Sequence, residues 1–174
     1  MTGKARGLTL PELVVTLAVA GTLLALAIPS FSRMVERKNL QAATETLVSD
    51  LRLARSESAK RNQDVRVSFK AGENWCYGLR DTSADCDCAA ADCTMDGVLT
   101  VQSGVEFNDV KLDSTSFSGN KTTWDHLRST ADSGTVVLKT DKTGYETRIM
   151  VSSIMGRIRT CSPTSHKVAQ YPDC

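Results

Sequence analysis

Gly7-Leu8-Thr9-Leu10-Pro11-Glu12-Leu13 opens an apolar run that reaches Ile28, interrupted only by Thr9, Glu12, Thr16 and Thr22. Met1 to Gly7 ahead of it is short and basic, with Lys4 and Arg6. The 21 residues from Leu8 to Ile28 would span about 30 Å as a helix, the thickness of a bilayer core. The basic start places the N-terminus in the cytoplasm by the positive-inside rule. Three readings compete. Ala25-Leu26-Ala27 offers an A-x-A site for ordinary signal cleavage. A plain membrane anchor is the second. The third must account for Glu12, a carboxylate whose burial in apolar surroundings costs a few kcal/mol unless a partner compensates. Neither a signal peptide nor an anchor gains anything from that cost.

Beyond Pro29 the pattern turns amphipathic. Phe31, Val35, Leu40, Ala43, Leu47, Leu51, Ala54 and Ser58 recur mostly three or four residues apart, while Arg33, Arg37, Lys38, Glu45, Arg52 and Arg55 take largely other positions. One nearly continuous helix over 8–61 is expected, with its basic residues on a solvated face. Past Asn62 the period shortens to two. Strands are expected at 64–70, 75–80, 98–103, 106–112, 135–140, 147–153 and 157–161. Turns are expected at 71–74, 103–104 and 141–144, and irregular segments at 81–97 and 114–133. A helix followed only by strands makes the fold class α+β. The expected organisation is a leader at 1–7, a membrane or filament-core helix at 8–29, an amphipathic half at 30–61 and a β-sheet domain at 62–174.

The 174 residues carry a net charge of +1 with 24% charged and 41% hydrophobic residues, which suits one folded domain plus an anchoring segment. The near-neutral total hides asymmetry. Residues 81–113 hold eight carboxylates against Lys111 alone, residues 33–70 nine bases against five acids, and residues 142–174 five bases against two acids. The six cysteines, Cys76, Cys86, Cys88, Cys93, Cys161 and Cys174, favour disulfides in an oxidising compartment. Their number alone leaves about fifteen pairings. Cys161 with Cys174 is the pair expected first, because it closes a tail carrying Pro163 and Pro172. A metal site at Cys86-x-Cys88-x4-Cys93 is the rival reading, but no histidine lies near and the spacing matches no common zinc pattern. No cofactor is expected. His126 and His166 lack a neighbouring nucleophile or ligand partner, and no phosphate-binding glycine loop or H-E-x-x-H run is present, so an enzyme is not expected.

The run Gly7 to Leu13 resembles the class III prepilin signal shared by type IV pilins and type II secretion pseudopilins. The resemblance implies cleavage after Gly7 by a prepilin peptidase and methylation of the new N-terminal Leu8. It also implies pairing of Glu12 with the N-terminal amine of a neighbouring subunit. Leu8 departs from the phenylalanine the family prefers, and Pro11 from an aliphatic residue, although proline is tolerated in a first helical turn. Pro29 matches a proline that kinks or loosens the long helix in this family. Leu53 to Asn62 and the C-terminal Gly156-Arg157-Ile158-Arg159-x-Cys161 are similar to minor pilins of the FimT/FimU type and to the minor pseudopilin GspH. The fold implied is the pilin one, a long helix on antiparallel sheet. The location implied is the inner membrane, single-pass, with the C-terminal domain in the periplasm before assembly into a filament.

Strand alternation places Arg157 and Arg159 on one face and Ile158 on the other. Met155-Gly156 would turn a hairpin with 147–153, where Arg148 adds a third base, and Lys167 with His166 would extend the surface. Such guanidiniums grip phosphates without reading sequence. In FimT-like minor pilins the G-R-x-R motif is associated with DNA binding during natural transformation, so the resemblance implies double-stranded DNA as a partner of Gly156, Arg157 and Arg159. The competing readings are a solvated strand face, ion pairs with the acidic segment, and contact with the next pilin. A GspH-like minor pseudopilin of a type II secretion system, with a protein partner, is the alternative function.

Overall fold

The computed structural model describes Gly7 and residues 9–174, without the side chains of Leu24 and residues 26–30. Residues 1–6 of the expected leader and Leu8, the expected new N-terminus, lie outside the described residues. The chain divides into two compact units, Met1–Val35 and Glu36–Cys174. Helix α1, Leu10–Arg61, contributes to both.

In the first unit α1 exposes Leu10, Leu13, Val14, Val15, Leu17, Val19 and Leu23. Thr16 and Thr22 donate their hydroxyls to the carbonyls of Leu13 and Val19 at 2.9 and 2.8 Å. These two hydroxyls are thereby satisfied within the helix itself. Glu12 is exposed in the first turn. Among the described residues no helix is long and apolar enough to cross a membrane. The span expected at 8–29 includes Leu8 and side chains outside the description.

In the second unit the apolar stripe of α1 is buried: Leu40, Ala43, Leu47, Leu51 and Ala54 are fully covered and Ser58 nearly so. Phe31 and Val35, assigned to the same stripe by spacing, are exposed at 69% and 39% and belong to the first unit. Burial begins instead at Glu36, whose carboxylate accepts a 2.7 Å bond from the Thr143 hydroxyl.

The sheet residues form two four-stranded antiparallel sheets. The first contains β1 (Val65–Lys70), β2 (Cys76–Arg80), β5 (Val101–Ser103) and β7 (Lys121–Trp124), in the order β5-β2-β1-β7. The second contains β6 (Val110–Thr115), β8 (Gly134–Thr140), β9 (Glu146–Val151) and β10 (Ile158–Cys161), in the order β10-β9-β8-β6. A small ladder joins β3 (Thr94–Met95) to β4 (Val98–Leu99). Alternating residues of both sheets, among them Val65, Val67, Leu138 and Ile149, meet the α1 stripe in one core. The α+β class with a helix on antiparallel sheet holds.

Several local expectations shift. The strand expected at 106–112 lies at Val110–Thr115, because Ser103 caps a short 3₁₀ turn, Gly104–Glu106, by accepting from Val105 N–H. The strand expected at 98–103 is broken at Thr100. The irregular segment 114–133 contains β7, which pairs with β1 through Val65↔Trp124 and Val67↔Thr122. Only that long-range pairing makes Lys121–Trp124 a strand.

Candidate functional site: an arginine-bearing hairpin at a sheet edge

Strands β9 and β10 pair as Ile158↔Val151, Arg159↔Met150, Thr160↔Ile149 and Cys161↔Arg148. β10 is the edge of its sheet. The strand period of two puts Thr147, Ile149 and Val151 into the core and leaves Arg148 and Met150 on the outer face. Arg159, opposite Met150, and Arg157 are both exposed, whereas Ile158 is half-buried. Arg157 and Arg159 thus share the outer face, and a groove of about 480 Å³ runs between them and Met150, Ile154 and Met155.

The turn joining the strands is tightly built. Ser152 N–H donates to the Arg157 carbonyl at 3.0 Å. Ile154–Gly156 forms a 3₁₀ turn in which Met155 (φ 56°) and Gly156 (φ 52°) both take left-handed backbone. Gly156 is buried against Trp124, and a β-carbon there would lie 2.1 Å from the ring atom Cζ3. The glycine of the motif is therefore structural: only a residue without a side chain fits both the dihedral and the space.

The electrostatics divide the bases of the chain into paired and free. Asp85 binds Lys121 at 2.7 Å and also Arg66. Arg61 reaches Asp96, as well as Asp81 at 3.7 Å. Arg80 donates to the Asp85 carbonyl at 2.6 Å and pairs with Asp92. Asp81, Asp85, Asp92 and Asp96 are thus paired by the end of α1 and the first sheet, Asp109 and Asp113 by Lys142 and Lys139, and Arg157 and Arg159 take no part in these pairs. Among the described residues these two guanidiniums have no ion pair or hydrogen-bonded side chain. Free charge at an exposed edge stays available to an incoming anion, whereas a paired base must first break its contact.

The remaining expected bases are placed differently. Arg148 lies on the same face, but its Nε donates to Glu146 at 2.6 Å. Lys167 pairs with Asp173 at 2.7 Å. The tail carrying it is pinned by Ser162, which donates to the Glu146 carbonyl at 2.7 Å and accepts from Val168 N–H at 2.9 Å. That anchor lies at the start of β9, whereas Arg157 follows the turn at its end. Lys167 is thus charge-paired and is not among the residues lining the groove between Arg157 and Arg159. Arg52 is the base that sequence pattern alone gave to a solvated helix face. It is exposed, as a solvated face requires, and it lines a cavity of about 350 Å³ together with Glu45 and with Thr160, the residue after Arg159; among the described residues it has no ion pair. The signal for it lies in packing of α1 beside the edge strand, which spacing along one helix cannot reveal.

The cysteines form three disulfides, Cys76–Cys88, Cys86–Cys93 and Cys161–Cys174. With their sulfurs bonded, Cys86, Cys88 and Cys93 offer no thiolate to a metal. One other group of ligand types converges within 4.8 Å, at Asp64, Asp125 and His126. Its members already have partners. His126 Nδ1 lies 2.8 Å from Asp64, and Asp125 accepts from Leu127 and Arg128 N–H at 2.8 and 2.9 Å. The His126 contact holds the Asp64 carboxyl below its usual range.

Among curated proteins, none matches the chain. Two crystal forms of the type IV minor pilin FimU of Pseudomonas aeruginosa share its fold. The first superposes with a TM-score of 0.55 at 19% identity over 79% of this chain and 98% of that one. The second gives 0.51 at 16% identity over 71% and 97%. The family model for the type II transport protein GspH matches residues 43–154, from the buried half of α1 to the β9–β10 turn, and the chain belongs to this family of minor pilins and pseudopilins.

Proposed function

We propose that the chain is a minor type IV pilin, cut after Gly7 by a prepilin peptidase, held in the inner membrane by the helix at 8–29, and then incorporated into a pilus. Exposed Leu10, Leu13, Val14 and Leu17 support this, since such a surface needs lipid or neighbouring helices to cover it. Glu12 supplies the register: a carboxylate among apolar side chains gains most from the amine of the adjoining subunit.

The second element of the proposal is non-specific binding of double-stranded DNA, as in natural transformation. One observation carries it. Arg157 and Arg159 stand free on the outer face of an edge strand, while most other bases of the second unit are engaged. Arg52 adds a third free guanidinium beside the same strand. Several subunits along one filament would multiply weak phosphate contacts. The alternative, a pseudopilin of a type II secretion system, shares the anchor and the fold and needs no DNA.

Two measurements test the reading. Glu12→Ala should abolish incorporation into filaments while the folded chain still accumulates, and undiminished incorporation would refute the assembly role. Full-length protein in detergent should bind a short duplex with an affinity that falls steeply with salt. Arg157→Glu with Arg159→Glu should abolish that binding. Wild-type protein that ignores DNA even at low salt would leave the secretion reading standing.

A further inference from the structure

The tip of the β9–β10 hairpin is apolar where a solvated turn would be polar. Ile154 is 75% and Met155 69% exposed, and they sit beside Arg157 on the groove that Met150 and Arg159 continue. Met155 holds a left-handed backbone conformation (φ 56°) that disfavours a side-chained residue by about 1 kcal/mol or more. Two restraints enforce it, the Ser152 to Arg157 hydrogen bond at 3.0 Å and the seating of Gly156 against Trp124. A stiff turn therefore presents two bare aliphatic side chains ahead of two unpaired cations, and no carboxylate lines the groove.

We propose, resting on the DNA reading above, that this tip is a wedge for the minor groove of duplex DNA. Ile154 and Met155 press onto the sugar–base surface, and Arg157 and Arg159 hold the flanking phosphates. The chemistry suits the assignment on both counts. Aliphatic side chains inserted at a base step partly unstack it and bend the duplex, at a cost repaid by wider contact. Guanidiniums carried beside the wedge offset the charge of the phosphates that flank the opened step. Charge complementarity selects a polyanion, and the apolar tip selects one with a hydrophobic floor. A duplex has both, whereas a free phosphate has only the charge. The wedge reads deformability rather than base identity, so flexible steps should be preferred over stiff tracts.

The test uses full-length protein in detergent and duplexes carrying a fluorescent adenine analogue at a flexible step. Wild type should raise the analogue's fluorescence on binding and be displaced by a minor-groove dye. Ile154→Ser with Met155→Ser should lose that fluorescence rise and weaken binding roughly tenfold, while the dependence of affinity on salt stays unchanged. Arg157→Ala with Arg159→Ala should instead reduce the salt slope by about 1.8, two phosphates' worth. A serine double variant that binds and unstacks like wild type would overturn the wedge and leave phosphate binding intact. Wild type that binds anionic phosphatidylglycerol vesicles but no duplex would overturn both, pointing to a membrane contact. Because both tip side chains are exposed, the serine variant should melt like wild type.

Discussion

Gly156 passes directly over the indole of Trp124, so close that a β-carbon at position 156 would fall 2.1 Å from Cζ3. This contact fixes the β9–β10 turn to the first sheet, because Trp124 ends β7 and pairs with Val65. Gly156→Ala must displace the ring and strain a left-handed residue, costing about 2–4 kcal/mol. The expected result is a lowered melting temperature with altered tryptophan near-ultraviolet dichroism. A variant with wild-type melting and spectrum would contradict the contact.

Arg52 should contribute to anion binding without touching the G-R-x-R motif. Arg52→Ala is expected to weaken duplex binding and to reduce the slope of log affinity against log salt by about 0.9, one phosphate contact. Arg148→Ala, which removes a base already bound to Glu146, should change that slope less. Equal slopes for wild type and Arg52→Ala would remove Arg52 from the surface.

The acidic segment makes the fold sensitive to acid. Lys121 first, then Arg66, holds the Asp85 carboxyl below its usual 3.8, and Arg61 does the same for Glu57 against 4.5. A depressed folded-state value means the stabilisation is complete above the unfolded value and is lost as pH falls through the lower one. Melting temperature should therefore hold above about pH 4.5 and decline below it. Asp85→Asn should flatten that decline, and an unchanged acid limb would count against the pairing.

Tyr77 and Asp50 form a buried link between β2 and α1, with the phenol donating to Oδ2 at 2.7 Å. Burial nevertheless pushes the Asp50 carboxyl up, more than the hydrogen bond brings it down. Tyr77→Phe leaves a half-buried carboxylate without its donor and should cost about 1–3 kcal/mol near neutral pH. The loss should shrink as pH falls and Asp50 protonates, since the neutral acid needs the donor less. A deficit that is the same at pH 7 and pH 3 would show that packing, not the bond, was lost.

The Cys161–Cys174 disulfide closes a loop of 13 residues' separation. Cys161→Ser with Cys174→Ser should remove about 3 kcal/mol in the loop-entropy model. For a chain of this size that lowers the melting temperature by roughly 6–12 °C. Hydrogen exchange should quicken at Val168, whose N–H is bonded to Ser162. Unaltered melting and exchange would mean the Ser162 bonds hold the tail by themselves.

Much of the architecture follows from local pattern. The α1 stripe from Leu40 to Ser58 and the alternation in β1, β8, β9 and β10 show in the chain because helical and strand periods determine which side chains can share a face. Glu12 in an apolar run is likewise a property of sequence, since a carboxylate amid apolar residues asks for a compensating partner wherever that run is buried. The opposite faces of Arg157 and Ile158 follow from the same alternation.

Tertiary structure decided what depends on residues far apart. β7 exists because β1 supplies its partner, and the interleaved disulfides Cys76–Cys88 and Cys86–Cys93 are two among many pairings the spacing allows. Which bases are free is also a three-dimensional fact. Arg148 and Lys167 are neutralised, Arg157 and Arg159 are not, and Arg52 arrives beside Thr160 from another element. Charge pairing acts through space over a few ångströms, so a count along the chain cannot assign it. Gly156 carries the same lesson: its place in a motif is written in the sequence, but the reason it must be glycine is the ring of Trp124.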